Sequence, residues 1–108
     1  MPIATTNQII DEFYYSEAFK TLVRSEREYL LKTSTEMALT DRARVQAFRF
    51  DFYRLLRHYK VPQHLWWATA FLNGVEDPFS DIRHLTSIRL IEESVLNSAI
   101  SRSNTTYG

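Results

Sequence analysis

At 108 residues the chain has the length of one domain, and its 44% hydrophobic and 24% charged content places it among globular sequences and away from disordered ones. Lysine plus arginine and aspartate plus glutamate both number 13, so no net field draws the chain toward nucleic acid or an anionic membrane. The lack of cysteine excludes a disulfide framework, a thiolate metal site and a thiol nucleophile. The longest largely apolar run, Leu65 to Leu72, is too short to span a bilayer, and Met1 to Asp11 lacks the basic start and apolar block of an export signal, so an intracellular origin is expected. Aromatic residues make up 14% of the chain, enough to bring some rings to the surface, where they favour interfaces.

Between residues 7 and 31 the spacing of Ile9, Ile10, Phe13, Tyr14, Phe19, Leu22 and Val23 suits one or two amphipathic helices. A break is expected at Tyr15-Ser16, where the Ser16 hydroxyl can cap a second helix. Residues 1–28 thus read as an N-terminal helical arm. Tyr29 to Thr35, YLLKTST, reads either as a short strand or as a helix running on through Leu31.

Thr40 can cap a helix that starts at Asp41, where a carboxylate suits the positive end of the helix dipole, and Pro62 ends it by about Tyr59. On such a helix Val45, Phe48, Phe52, Leu55, Leu56 and Tyr59 share one face and form a buried stripe. Ala43, Ala47, Phe50 and Arg54 lie nearly opposite, with Tyr53 and Arg57 at one edge, and make a second contact face. The cations of this segment, Arg42, Arg44, Arg49, Arg54, Arg57 and Lys60, scatter around the polar side without a groove-reading pattern. They suit ion pairs between subunits better than DNA. Asp41 and Asp51 would lie about 15 Å apart by helix rise, too far for paired carboxylate catalysis, and read as a helix-start charge and a solvated residue. His58 and His64 flank Pro62 without a Cys or acidic residue to complete a ligand set, and read as surface or packing histidines.

A further helix starts near Pro62 or Gln63 and ends at Asn73-Gly74, where glycine can adopt the left-handed closing conformation. Leu65, Trp66, Trp67, Ala68, Ala70, Phe71 and Leu72 cover almost its whole circumference, so it must be covered on all sides. Trp66 and Trp67 point about 100° apart, which assigns one of them to a partner. Glu76 to Asp81, EDPFSD, is a turn-rich loop that contains Asp77, Pro78 and Phe79. Leu85 to Ile91 fits a strand, while Leu85, Ile88, Ile91, Val95 and Ala99 also recur at helical spacing. The closing SRSNTTYG has no apolar face and reads as a flexible tail. Asp77, Asp81, Glu92 and Glu93 give this second half the opposite sign to the arginine-rich segment, which suits packing of one subunit against another.

Tyr59 to Phe79, YKVPQHLWWATAFLNGVEDPF, resembles the small LysM-like tail proteins of contractile-tailed phages, including the baseplate wedge family. In that pattern a helix ends in Tyr-Gly, a turn leads to Leu-Trp-Trp or Leu-Tyr-Trp, and a second helix closes at Asn before an Asp-Pro turn. Tyr59, Pro62, Leu65, Trp66, Trp67, Ala70, Asn73, Asp77 and Pro78 match over about a fifth of the chain. Lys60 stands where the pattern has glycine, and Leu85, Ile88 and Leu90 stand for its closing Gly-x-x-Leu-x-Ile-Pro strand without the glycine or the proline.

The resemblance implies a helix-rich α+β fold: a LysM-like βααβ module over 29–93 with an elongated first helix, the arm at 1–28, and a C-terminal extension and tail at 94–108. It implies a structural virion protein, a baseplate wedge or tail subunit made in the host cytoplasm. Multiple copies would join other tail or baseplate subunits in a symmetric assembly. Neither a membrane nor specific nucleic acid is expected as a partner, and no catalytic activity, metal or cofactor. The core and interface are expected at Arg49, Phe50, Tyr53, Arg54, Arg57 and Tyr59, at Leu65, Trp66, Trp67, Phe71 and Asn73, and at Asp77, Pro78 and Phe79. Two other readings stay open, a peptidoglycan-binding LysM module and a small helical DNA-binding regulator using the arginine-rich helix.

Overall fold

Helices and one small antiparallel sheet make up the α+β fold of the computed structural model, which describes residues 13–107. The helices are α1 (Glu17–Ser25), α2 (Arg27–Thr33), α3 (Arg42–Ala47), α4 (Phe52–His58), α5 (Trp66–Leu72) and α6 (Glu93–Tyr107), and the strands are β1 (Thr35–Ala38) and β2 (Ser87–Leu90). Ile9 and Ile10 lie outside the described residues. No helix among the described residues is long and apolar enough to cross a membrane.

Ser16 caps α1 as its position suggests: its hydroxyl accepts from the Phe19 N–H at 3.2 Å and donates to the Phe13 carbonyl at 2.7 Å. Only one residue, Glu26, separates α1 from α2, and α2 runs to Thr33, so the helical alternative holds for Tyr29 to Thr33 and the strand begins later, at Thr35. The expected boundary at 28/29 therefore falls inside α2, and that at 93/94 falls in the first turn of α6. The arm is built into the body, because Phe19, Val23 and Leu30 are buried together with Leu65, Leu72 and Leu96. At the other end α6 continues through Tyr107, where the polar composition alone suggests a tail.

The single long helix expected over 41–59 is two helices. Asp41, rather than Thr40, caps α3 by accepting from the Arg44 N–H at 3.1 Å, and α3 stops at Ala47. Asp51 is not simply solvated: it caps α4 by accepting from the Arg54 N–H at 3.1 Å. The break is held from outside the segment, by the loop that follows α5. The Pro78 carbonyl accepts from the Phe52 N–H at 2.8 Å, and the Ile82 N–H donates to the Arg49 carbonyl at 2.9 Å. Backbone groups that a continuous helix would satisfy internally are thus satisfied by a loop about 30 residues further on. The buried stripe survives, with Val45, Phe52, Leu55 and Leu56 in the core, but Phe50 is on no helix, and its inferred place on a helical wheel does not apply.

A 3₁₀ turn at Gln63–Leu65 leads into α5, which closes at Asn73-Gly74 as expected, with Gly74 at φ +73°. Two separate cores explain why α5 is apolar all round. Ala70 belongs to a cluster with Leu39, Val45, Phe52, Leu56 and Ile88, while Ala68 and Leu72 belong to the cluster of α1, α2 and α6. The helix lies between them and is covered largely by its own chain.

Residues 87–90 are strand, and the helical spacing beyond Ile91 belongs to α6. β1 and β2 pair antiparallel with Thr35 opposite Leu90 and Met37 opposite Ile88. Between the strands lie three helices, so the expected βααβ order gains a helix where its elongated first helix is broken.

Candidate functional site

The two tryptophans lead onto two different surfaces. Each is half-buried, so neither is given wholly to the core nor wholly to solvent. The Trp66 indole N–H donates to the Val61 carbonyl at 2.8 Å, and the Trp66 ring lies 5.5 Å from that of Tyr53 at 31°. These two rings, with Asp51, Arg54 and Arg57, line a shallow depression of about 160 Å³. Burial raises the Tyr53 hydroxyl pKa above its ordinary value. Arg54 lies 3.6 Å from Asp51, whereas Arg57 is exposed on the same helix.

Two exposed aromatic rings flank the start of α4. Phe50 is 50% exposed, with the Arg49 guanidinium 5.3 Å from its ring centre, and Phe79 is 69% exposed. Phe79 follows the Pro78 whose carbonyl holds the Phe52 N–H, so Phe50 and Phe79 flank one helix end. The side chain of Asp77 sets that loop by accepting from the Phe79 N–H at 2.9 Å. Sequence reasoning expects Arg49, Phe50, Tyr53, Arg54, Arg57, Trp66 and Phe79 at an interface. The fold places Arg49, Phe50 and Phe79 at the α4 amino terminus and Tyr53, Arg54, Arg57 and Trp66 along the depression beside that helix, by a route other than the helical face first inferred.

Trp67 faces the other way. Its ring stacks on Phe71 at 5.4 Å and 8°, while Lys20 and Arg24 lie over it at 5.2 and 5.6 Å. Trp67, Phe71, Arg24, Arg27 and Glu76 line an open cleft of about 400 Å³. Lys20, Arg24 and Arg27 were not singled out in the sequence. Their i, i+4, i+7 spacing, which puts cations on one helical side, is the signal that could have found them.

Other residues of the expected core and interface set hold the fold together. Tyr59 and Leu65 pack in the two cores, and Asn73 joins α5 to the sheet. The Asn73 amide donates to the carbonyls of Thr69 at 2.7 Å and Arg89 at 2.9 Å, and its Oδ1 accepts from the Arg89 N–H at 2.7 Å. Arg42, read as one of the scattered cations suited to ion pairs between subunits, donates to the carbonyls of Leu85 and Arg83 at 2.8 Å each and of Leu39 at 3.3 Å, and so pins the loop before β2. His64 bonds the Glu93 carboxylate at 2.8 Å and packs on Tyr14, whose hydroxyl pKa is raised by burial and then by the Glu93 charge. His58 packs against Phe48 and Tyr59. Among the described residues no group of three or more His, Asp or Glu side chains could hold a metal ion.

The chain matches no family profile, no curated protein and no solved structure.

Proposed function

We propose that this chain is a structural subunit of a phage tail or baseplate, and that it joins its neighbours through the aromatic and arginine surface around the α4 amino terminus. The observation that carries the reading is that exposed Phe50 and Phe79 flank the start of the helix whose Tyr53, Arg54 and Arg57, with Trp66, line the depression. Rings supply contact area at little conformational cost, and guanidinium forks pair with carboxylates in a fixed geometry. The combination suits a protein partner.

Local geometry supports the resemblance over Tyr59 to Phe79. Lys60, in the place of the pattern's glycine, has φ +64°, the left-handed conformation that glycine favours. Asn73, in the place of its closing asparagine, tethers the second helix to the second strand.

Co-expression with the products of the neighbouring reading frames, followed by sedimentation, tests the proposal. The chain is expected to sediment with tail or baseplate subunits. Phe50→Ser combined with Arg57→Glu should leave thermal melting unchanged while weakening the complex by roughly 30-fold or more, since both side chains are exposed. A chain that ignores those subunits but binds duplex DNA with a steep salt dependence abolished by Ala at Arg49, Arg54 and Arg57 overturns the proposal. Retention on insoluble peptidoglycan in place of tail subunits overturns it equally.

A further inference from the structure

We infer that β1 pairs with β1 of a second copy of this chain, antiparallel about a two-fold axis through Met37, to make a four-stranded sheet. The inference rests on the sheet alone and is independent of the proposed surface at α4.

Hydrogen-bond parity shows which backbone groups are free. The Leu39 N–H donates to the Thr86 carbonyl at 2.9 Å, and the register continues that pairing to Met37 with Ile88 and Thr35 with Leu90. In an antiparallel ladder bonded and non-bonded pairs alternate, so the N–H and C=O groups of Glu36 and Ala38 on β1, and of Ser87 and Arg89 on β2, point out of the pair. On β2 the outward groups of Arg89 are taken: the Asn73 side chain receives its N–H and donates to its carbonyl, as a neighbouring strand would. On β1 no described residue bonds the N–H of Glu36 or Ala38, and both residues are exposed. Among the described residues the β2 edge is thus capped at Arg89, with the Ser87 groups left without a partner, whereas the β1 edge has no cap at all.

That asymmetry selects a second copy as the occupant. Pairing the two uncapped edges leaves outside only the β2 edges, where Asn73 occupies Arg89 and so blocks a further strand from continuous pairing, which favours an assembly of two chains. The local sequence also fits its own antiparallel image. When Glu36 pairs with Ala38 of the second copy and Ala38 with its Glu36, all the outward groups of these residues find partners. The alternative register puts Glu36 directly opposite its own copy and sets like charges against each other. In the favoured register each Glu36 keeps its own Arg89, 3.7 Å away, on the same face. On the other face Met37 meets Met37 at the close, non-bonded position, in an apolar row that ends in the buried Ile88 of each chain.

Ala38 provides the test, because it is exposed and lies opposite Glu36 only in this register. Sedimentation of the full chain should show a dimer, which Ala38→Lys tightens and Ala38→Glu weakens, each by roughly 2- to 30-fold from two symmetric cross-strand pairs. Met37→Cys adds the chain's only thiol and should yield a disulfide-linked dimer under mild oxidation, since non-bonded cross-strand positions lie at disulfide range. A chain that stays monomeric at every concentration, with the Met37→Cys variant unlinked after oxidation, overturns the inference and leaves the edge to residues 1–12 or to another protein. A dimer indifferent to charge at position 38 places association on a different surface and overturns it as well. Should Ala38→Glu fail to fold, the Ala38→Lys and Met37→Cys results decide the question alone.

Discussion

The two sides of α5 are held together in different ways. On the side of α1, α2 and α6, contiguous packing buries Phe19, Val23, Leu30 and Leu96, with the edge-on rings of Tyr14 and Phe19 at 4.8 Å, and the polar ties are few, chiefly His64 to Glu93 at 2.8 Å and the Tyr15 hydroxyl to the Gln63 carbonyl at 2.9 Å. On the side of β1, α3, α4 and β2, a core of similar kind is supplemented by long-range polar brackets. Arg42 holds three carbonyls, Asn73 takes the edge of β2, and the Pro78 and Arg49 carbonyls join the loop to the helix break. The difference shows what short elements require. Where helices of 7 to 15 residues pack against one another, side-chain burial and a few polar ties hold them. Where two helices of 6 and 7 residues and a pair of 4-residue strands must be fixed, their many unpaired backbone ends need particular donors and acceptors.

The most severe way to probe this comparison is to empty each core in turn. Phe52→Ala and Phe19→Ala should each cost about 3 to 5 kcal/mol, a large share of the stability of a single small domain. Because α5 contributes to both clusters, denaturation followed by tryptophan fluorescence should give one transition for either variant. Two separated transitions would show that the sides unfold independently.

Removing a single bracket is a milder and more selective test. Asn73→Ala should cost about 1 to 3 kcal/mol, the range for hydrogen bonds lost from groups left unpaired. Amide exchange should accelerate first at Arg89, before the amides of α1. Uniform acceleration through both sides would show that Asn73 does no more than fill space.

The smallest effect has the opposite sign. Both α4 and α5 end in a Schellman closure: Lys60 N–H to the Arg57 carbonyl with Val61 N–H to that of Leu56, and Gly74 N–H to the Phe71 carbonyl with Val75 N–H to that of Ala70. The left-handed residue is glycine in one and lysine in the other, at φ +73° and +64°. Lys60→Gly relieves a left-handed cost of about 1 to 2 kcal/mol and gives back part of it through the freer unfolded chain, so stability should rise by roughly 0.5 to 1 kcal/mol. A lowered melting temperature would mean that the Lys60 side chain makes a contact worth more than its backbone strain.

These contrasts explain what could be read before folding. The Ser16 cap, the Asn73-Gly74 stop, the turn at Asp77 and the burial of Val45, Phe52, Leu55 and Leu56 follow from local chemistry and helical spacing, and all are visible in the sequence. The break at Phe48 to Asp51 is not, because what holds it is the backbone of Pro78 and Ile82, and backbone groups leave no mark in residue order. Asn73 could be recognised as a helix stop, but its grip on Arg89 depends on where β2 arrives. The site residues Tyr53, Trp66 and Phe79 were legible as aromatics in need of cover, and only the fold shows that Tyr53 and Trp66 meet as a ring pair and that Phe79 comes to the start of the same helix.

The helix break also bears on the order in which the chain folds. Before the loop docks, nothing holds the Arg49 carbonyl or the Phe52 N–H, and the stripe from Val45 to Tyr59 favours one continuous helix. The local preference of this segment and its final shape therefore disagree. Such conflict between local and global choices is a source of frustration on a folding landscape, and here it lies at the segment that carries the exposed Phe50.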